Sequence, residues 1–356
     1  MHALGKSATL SSALFGNALA FMLWIALTVI AASPAFAAEA SPGEAKPANP
    51  LNAERAMGYL RQICAIGPRP AGSPAMDEQR KLLTDHFRSL GGEVERQGFL
   101  APNPLGGAKV PMANLIVRYR PELTRRVVLC AHYDTRPLPD QDPNWRARRS
   151  GRFIGANDGA SGVALLMELA HLMPELTGDV GVDLVMFDGE ELVYQDPRDP
   201  YFLGSSWFAR QYKNRSANYV YEWGVLFDMV GDKDLQIYQE RNSWRIRQTR
   251  PLVKSLWATA ARLGVEEFKP RLKHTVRDDH LPLNAAGIPT CDLIDFDYPY
   301  WHTEADTPRK CSGESLAKVG WVAWEWLWRL DQSGVATSAN STGEPTTTGA
   351  VQGQAQ

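Results

Sequence analysis

Side chains of the types that hold metals or move protons gather in a few short segments: His132, Asp158, Glu190, Glu191, Asp228, Asp278, Asp279 and His302. Imidazole and carboxylate form the ligand set of zinc, and a catalytic zinc keeps one coordination position open. Three protein ligands plus water then require a set such as one histidine and two acids. The adjacent Glu190-Glu191 suits a division of labour in which one acid binds the metal and its neighbour handles protons. An adjacent Glu pair is often only a solvated loop, but this one directly follows an apolar run. Asp158 lies in a Gly-rich turn, Gly155-Ala-Asn-Asp158-Gly-Ala-Ser-Gly162, that suits a metal-bridging role or a plain helix N-cap. Asp278-Asp279-His280 precedes LPLNAAGIP, where either Asp could simply cap a helix over 280–286. His132 competes with the reading of a buried, satisfied histidine, and His302 with that of a surface loop. His171 and His274 lack comparable surroundings and are expected to be structural. The chain has no G-x-S-x-G and no G-x-x-x-x-G-K-[ST], and no cysteine is placed as a nucleophile. Metal chemistry is therefore preferred to a nucleophilic serine or a phosphate loop.

These residues need elements that bring them to one place. Helical periodicity runs through 51–66, 75–91, 160–173, 203–213, 248–264 and 314–331. Continuous apolar runs at 113–119, 126–131, 182–187, 224–230 and 289–294 suit strands buried on both faces. Strands alternating with helices predict a three-layer α/β domain with a partly parallel, mixed sheet. In such sheets functional residues sit just past the carboxyl ends of the strands. That is where the candidates fall: His132-Tyr-Asp134 after VVLCA, Asp188 to Glu191 after VDLVMF, Asp228 within GVLFDMVG, and Trp301-His302-Thr303 after PTCDLIDFDYPY. The stripe Trp321, Trp324 and Trp328 has helical spacing and reads as core packing. Arg146-Ala-Arg148-Arg149 reads as a solvated insertion, or as a steering patch for an anionic substrate.

Composition excludes several classes. Lys+Arg 38 against Asp+Glu 40 gives a net charge of −2, which argues against a dedicated nucleic-acid binder. Apolar residues at 44% and charged residues at 22% are ordinary for a globular chain, and Trp 11 argues against wholesale disorder. Residues 1–37 contain one strong base, Lys6, then a long apolar stretch and Ala35-Phe36-Ala37, the pattern of a secretory signal peptide. A retained membrane anchor is the other reading, and no other stretch is long and apolar enough to span a bilayer. Export to the periplasm or the medium is expected, with a mature charge of −3 (−2 less the one Lys). Residues 38–50 read as a Pro/Ala linker, 51–332 as the catalytic domain and 333–356 as a polar, disordered tail. Export makes disulfides possible among Cys64, Cys130, Cys291 and Cys311, and the spacing selects no pairing.

HYD, ANDGASG, FDGEE, the Asp on the next strand, DDH and WHT, in that order, resemble the zinc-dependent aminopeptidase and glutaminyl cyclase superfamily over about 51–331, beginning with AIGPRPAGSP. The resemblance implies a mixed central sheet flanked by helices, and two branches compete. In the di-zinc aminopeptidases the matching ligands are His132, Asp158, Glu191, Asp228 and His302, with Asp158 bridging and Glu190 as general base. In the glutaminyl cyclases one zinc is held by the residues matching Asp158, Glu191 and His302. There Glu190 matches the proton shuttle, Asp228 and Asp278 match acids that hydrogen-bond near the reacting centre, and Trp301 matches an aromatic wall beside the substrate. The double Asp before His280 and Trp301 directly before His302 favour the cyclase branch, an acyltransferase turning N-terminal glutaminyl into pyroglutamyl with loss of ammonia. The ANDGASG turn is closer to peptidase forms, the loop after Glu191 lacks a Trp, and no Cys follows Asp158 nearby. The expected partners are peptide or protein N-termini, with no nucleic acid and no membrane after signal cleavage. A metal-free binding module is disfavoured because the whole ligand set is present.

Overall fold

The structure, a computed structural model, describes residues 46–215 and 218–341. The expected signal peptide (1–37) and the first part of the linker (38–45) lie outside these residues, as does 342–356. The chain order is α1 (Ala53–Ile66), α2 (Pro74–Ser89), β1 (Glu93–Ala101), β2 (Val110–Tyr119), β3 (Arg125–His132), α3 (Ala147–Ser150), α4 (Ala160–Leu169), β4 (Gly181–Phe187), α5 (Leu203–Asn214), β5 (Val220–Asp228), β6 (Ile237–Gln239), α6 (Arg241–Arg245), α7 (Arg250–Leu263), β7 (Phe268–Leu272), α8 (His280–Ala285), β8 (Thr290–Ile294) and α9 (Gly313–Ser341). A six-stranded sheet runs in the order β1-β2-β4-β3-β5-β8. Its first two pairings, β1/β2 and β2/β4, are antiparallel. Strands β4, β3, β5 and β8 are mutually parallel, so their carboxyl ends share one edge. The mixed three-layer α/β architecture read from the sequence is the one observed.

The pleat divides the core. Val127, Leu129 and Ala131 of β3 join one apolar layer with α1, α2, α4, α7 and α9. Val128 and Cys130 join the opposite layer with Phe208 and Tyr212 of α5 and Leu283 of α8. All seven residues of β4 are buried, as expected of a strand covered on both faces. Helix α4 is buried all round and sits tightly on the sheet. A Cβ at Gly162 would lie 2.3 Å from Phe227 O, so only glycine permits this approach.

Local signals account for several boundaries. Asn52 caps α1 by accepting the Arg55 amide at 2.9 Å. Ser73 caps α2, Pro74 takes its first turn, and Gly264 ends α7 at φ 64°. Strand β1 escapes the apolar-run reading because it is a charged, largely exposed edge strand, EVERQGFLA, which resists pairing with another chain. Helix α9 continues to Ser341, beyond the boundary expected at 332. Once the packed Trp-rich turns nucleate the helix, adding further residues is cheap. Trp321 and Trp324 are buried, but Trp328 is 40% exposed and Trp326 is buried instead. The buried stripe is therefore wider than the i, i+3, i+7 spacing implied. Arg146 and Arg149 lie over the exposed Trp145 ring, consistent with a solvated insertion. All four cysteines are buried and free, so no pairing among them is formed. Among the described residues, no helix is long and apolar enough to cross a membrane.

Candidate active site

The carboxyl edge of the parallel strands carries the candidates. His132 ends β3 and Asp228 ends β5, while Glu190 and Glu191 follow β4 after Asp188 and Gly189. Asp158 precedes α4, Asp278 and Asp279 precede α8, and His302 lies beyond β8. Apart from Asp228, all are buried.

Asp158 stands between two imidazoles. Its Oδ1 lies 3.2 Å from His132 Nε2, and its Oδ2 lies 3.5 Å from His302 Nε2. His132 Nε2 is also 3.2 Å from Asp228 Oδ1. His302 Nε2 is 2.7 Å from Glu191 Oε1. His132, Asp158 and Glu191 each offer a donor atom within 4.8 Å of the others. The donor chemistry suits zinc, and Asp158 Oδ2 is buried without a hydrogen-bond partner. Both ligand sets implied by the resemblance are thus brought together: Asp158, Glu191 and His302 on one side, His132 and Asp228 on the other.

Backbone clamps hold this arrangement. The Asp134 carboxylate accepts the amides of Glu190 and Glu191, each at 3.1 Å. Asp306 accepts the amides of Asn157 at 2.8 Å and Asp158 at 3.1 Å. Arg69, fully buried, donates to Gly67 O at 2.7 Å, Ile154 O at 3.0 Å and Gly155 O at 3.3 Å, pinning the turn that carries Asp158. A Cβ at Gly159 would meet Asp134 O at 2.8 Å and His132 Cε1 at 3.1 Å, so glycine lets the turn reach His132. His302 sits at φ 54°, unusual for a residue with a side chain. It is held there by Asp140 Oδ1 at 2.8 Å from Nδ1 and by the Trp301 ring stacked at 3.9 Å. A carboxylate on the far nitrogen is the partner that orients a metal-binding histidine. Arg136 in turn holds Asp140, and its own amide donates to Glu191 Oε2 at 2.9 Å.

Charge is distributed unevenly. Burial would raise Glu191, but the cationic His302 and Arg136 outweigh it and hold Glu191 at about 2. Burial would lower His302, yet Glu191 and Asp140 lift it to about 9. Burial and the charges of Glu191, Asp278 and Asp279 push Glu190 well above the carboxylate range, against the pull of His132. Burial and the neighbouring Asp228 and Asp279 do the same to Asp278. Asp278 Oδ1 accepts the Asp279 amide at 2.6 Å, and its Oδ2 has no partner. Neither aspartate makes a side-chain capping bond to α8, so simple capping does not explain the pair. Asp279 instead accepts a hydrogen bond from Ser205 of α5.

His171 bonds Tyr59 and His274 pairs with Asp297, so both are structural as expected. Sequence reasoning missed Arg69, Arg136, Asp140 and Asp306. Asp306 follows the WHT motif closely, whereas Asp140 sits in an irregular loop with no distinguishing pattern.

Such a cage of acids and imidazoles on the carboxyl edge of a mixed α/β sheet marks an enzyme. The sequence model of peptidase family M28 matches residues 114–327, and the chain belongs to that family. It is 27% identical over 261 residues to a glutaminyl-peptide cyclotransferase of Drosophila melanogaster, covering 67% of this chain and 70% of that protein. A solved glutaminyl cyclase of Fimbriiglobus ruber is 40% identical at TM-score 0.75, with 80% of this chain and 99% of that one covered. A solved Zn-dependent exopeptidase of Parabacteroides distasonis is 31% identical at TM-score 0.72, covering 80% of this chain and 99% of that one.

Proposed function

We propose that the protein is a zinc-dependent glutaminyl-peptide cyclotransferase. The carrying observation is Asp278, a second buried carboxyl group whose charge would raise Glu190 and whose Oδ2 is unpartnered. Hydrolysis needs one proton-handling acid beside the ligands; this site holds two. The likeness to solved and curated glutaminyl cyclases supports the same reading.

Asp158, Glu191 and His302 would hold one zinc. When bound, zinc supplies a Lewis acid for the γ-carbonyl of the N-terminal glutaminyl residue. Glu190 takes a proton from the α-amine as that nitrogen bonds to the side-chain carboxamide carbon (Cδ). It returns the proton to the leaving nitrogen as the C–N bond of the carboxamide breaks and ammonia departs. Asp278 and Asp228 accept hydrogen bonds from the leaving and attacking nitrogens. Trp301, half-buried against His302, positions the side chain in a ring-like pose, where intramolecular attack gains most. The expected leader places this activity outside the cytoplasm, on exported peptides or proteins.

One observation favours a second reading. His132 lies 3.2 Å from both Asp158 and Asp228, the disposition of a second metal position in a di-zinc aminopeptidase. Mass spectrometry of a glutaminyl peptide incubated with the zinc-loaded protein separates the two. Loss of ammonia with peptide bonds intact supports the cyclase, and release of the first residue supports the peptidase.

A further inference from the structure

A second buried group lies behind the site. Glu240, His280 and Asp292 each offer a ligand-type atom within 4.8 Å of the others, and all three are essentially inaccessible to solvent. Asp292 interrupts the apolar strand β8, where an unpaired carboxylate is costly. It pairs with Leu226 across the sheet, two residues before Ile294, which pairs with Asp228. Because strand residues two apart share a face, Asp292 lies on the face of Leu226 and Asp228, one step deeper than Asp228. Leu226 packs in the layer that includes α8, the helix whose N-terminus carries Asp278 and Asp279.

Three backbone amides fix Glu240: Asn242 and Val276 donate to Oε1 at 2.8 and 2.9 Å, and Ser243 donates to Oε2 at 2.6 Å. His280 lies between the two acids. Its Nε2 is 3.6 Å from Glu240 Oε2, and its Nδ1 is 3.7 Å from Asp292 Oδ2. Neither ring nitrogen and neither Asp292 oxygen has a hydrogen-bond partner among the described residues. A metal ion would draw both carboxylates to one nitrogen. Here they face opposite nitrogens, as in a chain with one N–H donor and one acceptor on a neutral ring.

We propose that Glu240, His280 and Asp292 close into a buried hydrogen-bonded chain, with Nε2–H donating to Glu240 and Nδ1 accepting from Asp292. The chain keeps Asp292 a neutral acid beside Asp278, which makes Asp292 and His280 positioning residues for the cyclisation. Burial lowers His280 to about 3, and burial with the charge of Asp278 pushes Asp292 well above the carboxylate range, both in the required sense. Glu240, Asp228 and Asp279 also bear on Asp292. An ionised Asp292 would repel Asp278 and displace its free oxygen.

The kinetic part rests on the cyclase reading, and the ring's tautomer does not. In protein labelled with 15N-histidine, the His280 signals are assigned by their loss in His280→Gln. A neutral ring protonated on Nε2 is expected; a proton on Nδ1 or a doubly protonated ring overturns the chain. Asp292→Asn keeps a neutral donor and should retain most of kcat on a glutaminyl peptide. Asp292→Leu should lower kcat about 100-fold with KM and zinc content unchanged. Equal damage by both variants in folded protein would overturn the positioning role. Loss of a metal equivalent in Glu240→Gln would show a cation site instead and also overturn it. If the wild-type protein releases no ammonia, the cyclase reading fails and the tautomer alone decides the chain.

Discussion

Replacing Glu190 with Gln isolates proton transfer from everything else the site does. The amide has the size of the acid but cannot cycle a proton at neutral pH. Removing a general acid–base group costs about 10²- to 10⁴-fold in rate, or about 3–5 kcal/mol of barrier. The surroundings indicate that little else changes. The Glu190 amide stays clamped to Asp134 at 3.1 Å whatever its side chain. No hydrogen bond ties the Glu190 carboxylate to Asp158, Glu191 or His302 among the described residues, so zinc should remain. The neighbouring acids Glu191, Asp278 and Asp279 disfavour a charge on Glu190, so a neutral side chain should leave stability unchanged or raised. The assay is ammonia release from a glutaminyl peptide, with zinc counted by elemental analysis and unfolding followed in urea. The expected result is a fall in kcat of about 10²- to 10⁴-fold at nearly constant KM, with zinc and stability retained. A variant within about 10-fold of wild type would remove Glu190 from proton transfer. Loss of zinc would show it to be a ligand.

Other consequences are separable. His302→Ala should lose zinc, while His132→Asn should keep one equivalent; two equivalents in the wild type, falling to one in His132→Asn, would favour the aminopeptidase. Asp140→Asn leaves the ligands in place but weakens the bond orienting His302, and zinc affinity should drop about 10- to 100-fold by competition with a chelator. Asp278→Ala should cut cyclisation much more than it cuts stability, because its free oxygen makes no capping bond. Burial and Asp134 raise Asp188 to about 7 against its ion pair with Arg80 at 3.0 Å, so when folded it holds its proton to a higher pH than the unfolded chain, which releases it near about pH 4. It therefore subtracts stability as pH rises from about 4 to about 7, and Asp188→Asn should flatten the pH dependence of urea unfolding over that window.

The fold was legible wherever one physical signal dominated. β3, β4 and β8 are apolar runs because helices cover both faces, and α1, α2 and α7 carry clear periodicity and end signals. β1 was invisible because an exposed edge strand has neither an apolar run nor a buried face. β6 and β7 were invisible because a short two-stranded ladder depends on tertiary pairing rather than local pattern. The acids and imidazoles at the strand exits were legible because topology places strand ends together. Asp140 was not, since its value lies in reaching His302 across a sequence separation of 162 residues. Asp292 and Glu240 carry no such signal, because one lies inside an apolar strand and the other follows a three-residue strand with no local pattern of its own.

Residue type alone did not divide these acids by role, but the partners of their oxygens do. Asp134 and Asp306 each give both oxygens to backbone amides, and Glu240 accepts three such bonds. With their oxygens taken by backbone amides, these side chains serve as fixed struts. Asp158, Asp278, Asp279 and Asp292 each keep at least one buried oxygen without any partner. A buried carboxyl oxygen in that state must find a proton, a cation or a substrate hydrogen bond. The unpartnered oxygens of Asp158 and Asp278 belong to the two acids assigned to zinc and to the reacting nitrogens. Those of Asp279 and Asp292 lie beside and behind Asp278, and in the proposed chain a proton satisfies Asp292. The struts fix the loop backbones, and the freedom left on the second group of oxygens is what the reaction uses.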